Sequence, residues 1–378
     1  MKVAYVTPFY NGNCEGRFGR FHDWIHTARD MDDPPFEFEV IALMVDNPDS
    51  TLSSQSNSCL GSANELWASK LNKAEIALNL PRIHRELRTG DYDVVHVLRL
   101  DGLIFPTVLS AIDAQTAVVI GPNIGGWSPI REGGQWDHDG NISGIKQQVG
   151  YRYRQLLTKI ATYDIALSFT KYHRKILLEY GVDNSKIRVL KPGVSEIFSN
   201  SWDFGNESKK NSPTVLYVGD LSEHKGYDLF LRAIAKSESD FHAFIAGTGT
   251  PRRKLIHSLG IEKCITHLGF IERKDLPRYY WEADLFVMPS IDEMGPNTII
   301  EALASGTPVV ATDTEGINEF SPKDVSDYFS PRTPDALARA IDRSLSENNQ
   351  RKAKKYRGKF LAVDTLSQLK TIYERIIE

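Results

Sequence analysis

The chain is short of cysteine, has no long apolar run and carries no excess of basic residues, and each shortage removes a class of protein. Its three cysteines, Cys14, Cys59 and Cys264, are odd in number, far apart and outside any CxxC pair. A disulfide framework and a structural zinc site are therefore unsupported, and a reducing cytoplasm is the expected setting. No apolar stretch reaches the ~18 residues that cross a bilayer. The apolar start, Met1 to Tyr10, is broken by Pro8 and runs into Asn11-Gly12-Asn13, so neither a signal peptide nor a membrane span is expected. Lys plus Arg number 45 against 49 Asp plus Glu, a formal charge of -4. That balance is wrong for a surface that grips nucleic-acid phosphates, so nucleic acid is not an expected partner. Internal sequence repeats and low-complexity tracts are also missing.

What is there reads as an ordinary globular composition on a chain of 378 residues, too long for one comfortable core, so two domains are expected. Short apolar runs alternate with helical stretches: strands at Lys2–Thr7, Phe36–Val45, Val94–Leu98, Ala117–Ile120 and Ile165–Phe169, with helical segments at about Arg20–Arg29, Ala63–Arg88 and Ile142–Ala161. Strands that are apolar throughout and separated by helices argue for a parallel sheet covered on both faces. The polar stretch Ser199–Pro213 reads as the interdomain linker. The alternation then restarts, with strands at Thr214–Val218, Ala243–Ala246, Ile265–Leu268, Leu285–Met288 and Val309–Ala311. Thr333 followed by Pro334 predicts an N-cap with proline at N1, and Asp364 is expected to cap a last helix carrying Leu366, Leu369, Tyr373 and Ile376 on one face. The domains are read as 1–195 and 196–360, with a C-terminal helix at 361–378 packing back on the first.

The segment Pro289 to Val310 carries the strongest chemical signal. An apolar strand ends at Pro289, a loop holds Glu293, Gly295-Pro296 opens a helix, Gly306 stops it and Pro308-Val309-Val310 begins the next strand. Glu293 thus stands at a strand's carboxyl end, and the amides of Asn297, Thr298 and Ile299 open the following helix, where orphan N–H groups and the macrodipole favour a phosphate. Glu301, eight residues on, reaches a ribose hydroxyl if it lies on the ligand side. From spacing alone, a helix with a solvated Glu at each end explains the pattern equally well.

Glu293 and Glu301, followed by Ala302-Leu303-Ala304-Ser305-Gly306-Thr307-Pro308, resemble the EX7E signature of retaining glycosyltransferases of family 4. Further stretches are similar to that family in the same order. Asp93-Val94-Val95-His96 resembles its first-domain DVVH strand and Lys191-Pro192-Gly193-Val194 its domain-joining turn. Gly219-Asp220-Leu221 with Lys225-Gly226 resembles its GRL…KG segment, Gly247-Thr248-Gly249 its GxG loop, and Leu268-Gly269-Phe270 its next strand end. Only Gly16 clearly matches the glycine pair of the family's first loop.

The resemblance implies an α/β fold of two doubly wound Rossmann-like domains facing a cleft (GT-B). It implies transfer of a hexose, glucose first, from a nucleotide-diphosphate sugar, UDP first, to an acceptor hydroxyl with retention. Glu293 and Lys225 carry over as catalytic residues; Gly16, Gly219, Lys225, Gly247, Glu293, Asn297, Thr298, Ile299 and Glu301 carry over as donor contacts. The implied partners are a nucleotide sugar and a glycan or lipid-linked acceptor, with peripheral contact at the inner membrane face as one option and no cofactor or metal. The aromatic-basic run Tyr151-Arg152-Tyr153-Arg154 suits such a surface, although a solvated helix face is the more ordinary reading.

Two departures stand out. Asp220 occupies the place of an Arg that grips the diphosphate. Gly121-Pro122-Asn123 replaces a loop that often carries His, leaving Asn123 either as an acceptor or sugar contact or as a turn residue. His96 reads as a strand-end residue. Three Asp-x-Asp stretches, at Asp30, Asp91 and Asp137, are better explained as turn and helix-entry chemistry than as a metal-diphosphate motif. A dinucleotide oxidoreductase is the rival from another class, but Gly247-Thr248-Gly249 lacks its third glycine. A non-catalytic nucleotide-sugar binder and a nucleotide-sugar epimerase remain alternatives on the same fold.

Overall fold

A computed structural model describes residues 1–11, 19–46, 73–99, 104–123, 152, 155–156, 158–159, 162–200, 212–291, 293, 296–347 and 353–378. They form two compact units, Met1–Lys191 with Leu366–Glu378, and Pro192–Thr365. Each is built on a six-stranded sheet whose strand pairings are all parallel among the described residues.

The first unit runs β1 (Lys2–Asn11), α1 (Gly19–Asp30), β2 (Glu37–Asp46), α2 (Lys73–Thr89), β3 (Val94–Arg99), α3 (Ile104–Ala111), β4 (Ala117–Asn123), β5 (Ile165–Ser168), α4 (Lys171–Glu179) and β6 (Ile187–Val189). Its strand order is β2-β1-β3-β4-β5-β6. The second unit runs β7 (Thr214–Val218), α5 (Tyr227–Ile234), β8 (His242–Ala246), α6 (Arg253–Leu259), β9 (Ile265–Gly269), α7 (Leu276–Glu282), β10 (Leu285–Met288), α8 (Asn297–Ser305), β11 (Val309–Thr312), β12 (Ser326–Phe329) and α9 (Pro334–Ser346). Its order is β12-β11-β10-β7-β8-β9. Both orders reverse once, between β1 and β3 and between β7 and β10, and an open parallel sheet of this kind binds ligands beyond the strands' carboxyl ends at that reversal.

Burial explains the uniformly apolar strands: β10 and β11 are buried at every residue. Helices cover the sheet with one apolar face each. Phe230, Leu231, Ala233 and Ile234 of α5 join Leu337, Ala340 and Ile341 of α9 in one core cluster. Each large side chain so buried contributes about 1.5–3 kcal/mol. At α9 the Thr333 hydroxyl accepts from the Ala336 N–H at 3.3 Å and Pro334 sits in the first turn, as its sequence predicts.

Two expectations about element limits need correction. β1 continues through Pro8 to Asn11, because its pairing with β3 stops at Val6 and a residue without an N–H is tolerated where only β2 flanks the strand. The last helix, α10 (Ala362–Ile377), begins before Asp364, which lies in its first turn instead of capping it. The division between units falls at Lys191/Pro192 and Thr365/Leu366. Its physical cause is a tie between two backbone stretches: Val194 N–H donates to Phe360 O at 2.9 Å and Ala362 N–H to Val194 O at 2.8 Å. Gly193 allows this approach, since a Cβ there would stand 2.1 Å from the Leu361 carbonyl oxygen. The expected linker lies mostly outside the described residues, as do residues 63–72 of the second helical segment and most of 142–161.

Candidate functional site

Three loops leave the carboxyl ends of β7, β8 and β10, and the chain fastens them to one another. Gly219 N–H donates to Ala246 O at 3.0 Å and Leu221 N–H to Thr248 O at 2.8 Å, joining the β7 and β8 loops. Gly247 makes that possible. Its φ is +142°, and a Cβ would sit 1.9 Å from the Gly219 carbonyl oxygen. Asp220 is drawn into the same seam, accepting from the Thr248 hydroxyl at 3.0 Å. On the other side of β7, Ile291 N–H donates to His224 O at 2.9 Å. Arg332 spans both strands' loops, with Nε 3.3 Å from Pro289 O and Nη2 3.4 Å from Glu223 O.

Gly226 is the closest point between the β7 and β10 loops. It opens α5 at φ +72°, and a Cβ would meet the Pro289 carbonyl oxygen at 2.1 Å. Lys225 and Glu293 are thereby brought together: Lys225 Nζ donates to Glu293 Oε1 in an ion pair. The side chains are 30% and 18% exposed. A pair so open to water is worth at most about 1 kcal/mol, so an anionic ligand can part it at small cost. Beneath it lies the buried Tyr217, whose hydroxyl donates to Asp220 O at 2.8 Å. Burial foremost, then the negative charges of Asp220 and Glu293, hold that phenol well above its ordinary pKa, so it remains a donor.

The α8 N-terminus follows Glu293. Its N-cap is Pro296, whose side chain offers no acceptor for the first-turn amides of Asn297, Thr298 and Ile299. Thr298 turns its hydroxyl back to Met288 Sδ at 3.5 Å. Glu301 is not the solvated residue that its spacing alone allows. It is 2% exposed, its Oε1 accepting from Arg273 Nη1 at 2.8 Å and its Oε2 from the Tyr280 hydroxyl at 2.9 Å. The solvated-helix explanation therefore fails for Glu301, because two donors compensate its burial.

The structure thus brings together Gly219, Lys225, Gly247, Glu293 and the start of α8, with Glu301 beneath them in that helix. Gly16 lies outside the described residues. Asn123 ends β4, but its side chain lies outside what is described. His96 lies within β3, which runs on to Arg99, and not at a strand end; it is fully buried in the first unit, with Nδ1 2.6 Å from the Tyr373 hydroxyl and Nε2 2.7 Å from Gly121 O. Because Gly121 O only accepts, Nε2 carries the proton and Tyr373 donates to Nδ1. Arg273, Tyr280 and Arg332 carry no signal in the sequence. None belongs to a local motif; tertiary folding alone carries them to the site.

Residues 198–360 match the family model described as Glycosyl transferases group 1. An uncharacterised glycosyltransferase of Methanocaldococcus jannaschii is 30% identical over 188 residues, 44% of this chain and 47% of that protein. This chain spans about half or less of the length of the curated relatives it matches. Across the whole chain the fold is that of solved GT-B structures. A Rickettsia africae glycosyltransferase aligns with a TM-score of 0.71 at 18% identity, covering 100% of this chain and 98% of that one. Anabaena HepE, crystallised with UDP and glucose, aligns with a TM-score of 0.68 at 17% identity, covering 99% and 100%. Among the described residues no helix is long and apolar enough to cross a membrane.

Proposed function

We propose that this chain is a retaining, family 4 glycosyltransferase that moves a hexose, glucose first, from UDP to the hydroxyl of a glycan or lipid-linked acceptor. The observation that carries the reading is the meeting of Lys225 and Glu293 where the second unit's strand order reverses, directly ahead of α8. Departure of a nucleoside diphosphate leaves negative charge on its oxygens. Lys225 and the amides of Asn297, Thr298 and Ile299 are the groups that meet that charge, preorganised and needing no metal or cofactor. Gly219 and Gly247 let the main chain approach the donor, and Gly16 is assigned the same role by its resemblance alone. Glu293 is assigned to the sugar, accepting its hydroxyl hydrogens and supporting the cationic ring as the bond breaks; no protein nucleophile is required. Glu301 is assigned to the ribose, and Asn123 to the acceptor or sugar. The donor chosen is the one with which HepE, similar in fold, was crystallised. The cytoplasmic face of a membrane is the setting that suits a lipid-linked acceptor.

The test is donor turnover by Glu293→Gln beside a thermal-shift panel of UDP, GDP, ADP and TDP sugars. Turnover is expected to fall by more than ~10-fold, about 1.4 kcal/mol of barrier, while nucleotide binding stays nearly intact. Full transfer by the variant removes Glu293 from the mechanism. A panel in which UDP sugars alone give no shift overturns the donor assignment.

A further inference from the structure

Glu301 is held more elaborately than a helix needs. Tyr280, one of its two donors, is fully buried in α7 with its ring edge-on to Phe198 at 6.0 Å and to Phe286 at 5.4 Å. Its carbonyl accepts from the Thr307 hydroxyl at 2.6 Å. Arg273, the other donor, lies with its guanidinium 4.9 Å from the centre of the Phe198 ring and its side chain 10% exposed. Both donors are therefore fixed before they touch the carboxylate.

A buried ion pair of this kind is a poor way to gain stability, since apolar side chains of similar volume do as well or better. What it does supply is an oriented anion. With Arg273 and Tyr280 each occupying one oxygen, about two of the carboxylate's four lone-pair positions remain, one on each oxygen. A vicinal diol presents two O–H donors to such a pair of acceptors.

We infer that Arg273 and Tyr280 are positioning residues for the nucleoside ribose, orienting the Glu301 carboxylate and leaving one acceptor site on each oxygen for the 2′ and 3′ hydroxyls. The inference rests on the ribose role proposed for Glu301. It separates the group that touches the ligand from the two that set its direction, and it places ribose-against-deoxyribose selectivity in residues with no motif of their own.

The experiment is calorimetric titration of the full chain with ADP, GDP and UDP and with the 2′,3′-dideoxy form of each. The readout is the affinity ratio of the ribo to the dideoxy form for the tightest-binding base. For the wild type that ratio is expected at roughly 10- to 100-fold, the worth of hydrogen bonds to a charged group. Glu301→Gln and Arg273→Met should each bring it below ~3-fold while the dideoxy affinity stays close to wild type. Arg273→Lys should recover part of the ratio, and Tyr280→Phe, which deletes one hydroxyl from an otherwise intact packing, should lower it several-fold. A merely structural role would weaken ribo and dideoxy forms alike and leave the ratio alone. If Arg273→Met and Tyr280→Phe keep the wild-type ratio while Glu301→Gln loses it, the positioning role is wrong and the ribose role stands. If Arg273→Met does not fold, the Tyr280→Phe ratio decides alone. A wild-type ratio near one, its persistence in Glu301→Gln, or no binding of any of the six nucleotides overturns the ribose role and the inference with it.

Discussion

Gly226→Ala tests whether the β7 and β10 loops owe their closeness to a missing side chain, and Gly260→Ala is its internal control. Both glycines belong to the second unit and both have a left-handed backbone, with φ +72° and +67°. An alanine there costs about 1–2 kcal/mol from conformation alone. Around Gly260 an added Cβ meets nothing within 4 Å, so that variant should show this conformational cost and no other. At Gly226 the same Cβ would stand 2.1 Å from the Pro289 carbonyl oxygen and 2.9 Å from its Cγ. More than ~1 Å must open, and the obstacle is backbone leading directly from β10, which cannot swing aside like a side chain. Overpacking of that kind adds roughly 1–3 kcal/mol. For a unit of this size each kcal/mol lowers Tm by about 2–4 °C, so Gly226→Ala should lower Tm about twice as far as Gly260→Ala or more. Thermal unfolding of the two full-length variants, followed by circular dichroism, supplies the comparison. Nucleotide-diphosphate affinity should also fall in Gly226→Ala, where Lys225 must move with its neighbour. It should hold in Gly260→Ala, which sits at the end of α6 leading to the amino end of β9. Equal losses of Tm would refute the steric argument, and unchanged nucleotide affinity in a destabilised Gly226→Ala would separate the loop contact from the site.

Lys225→Ala should weaken binding of a nucleoside diphosphate by about 1.5–3 kcal/mol and of the monophosphate by clearly less; equal losses in titration calorimetry would dismiss the diphosphate assignment. Burial holds His96 down to about 4, its bond to Gly121 opposing the shift only in part. Its neutral form therefore contributes stability that is complete above the ordinary pKa near 6.5 and lost as pH falls toward 4, about 3 kcal/mol at most. His173, also buried and lowered to about 4, adds a similar slope, and His267 and several carboxylates are also held down, so His96→Gln should flatten but not abolish the acid-side loss seen by denaturant titration between pH 7 and 4. An unaltered slope would contradict the assignment. Donor turnover should persist in EDTA and gain nothing from Mn²⁺; abolition by the chelator with rescue by the metal would overturn the proposed diphosphate contacts.

Most strands and several helix limits were legible because the information is local, whereas β6, β12, α4, α6 and α7 were not read from the sequence. Uniformly apolar runs of four to six residues, bounded by Gly and Pro, mark β7, β10 and β11, and the same rule placed Glu293 in a carboxyl-end loop. Thr333-Pro334 and Gly306 carry their capping chemistry in their side chains or in the lack of one. What was not legible is what depends on distant partners. Nothing near Arg273 in sequence says that it will meet Glu301, 28 residues later, and Glu301 read alone suits solvent as well as burial. His96 looks like the end of a strand until Tyr373 arrives from the C-terminal helix, 277 residues away. Pro8 misled for the opposite reason: a local rule ended β1 there, but the rule is strict only where both neighbours need the N–H.

Asp220 shows how these two kinds of information combine. By resemblance it stands where an Arg would face the diphosphate, and read alone it is a carboxylate repelling the donor. The structure gives that carboxylate another task, since the Thr248 hydroxyl holds it in the seam between the β7 and β8 loops that Gly247 lets close. The repulsion is reduced by that hydrogen bond but not removed. Lys225 consequently has more charge to answer than it would beside an Arg, while in the unliganded chain it is matched by Glu293. Under the proposed function, an anionic ligand that draws Lys225 away leaves Glu293 without its cation where positive charge would develop on a departing sugar. A partly exposed pair can make that exchange at a cost of about 1 kcal/mol or less, small against the charge-assisted hydrogen bonds a phosphate brings. Under the proposed function, the same ion pair is two complementary groups held together until a ligand of split charge takes one on each side.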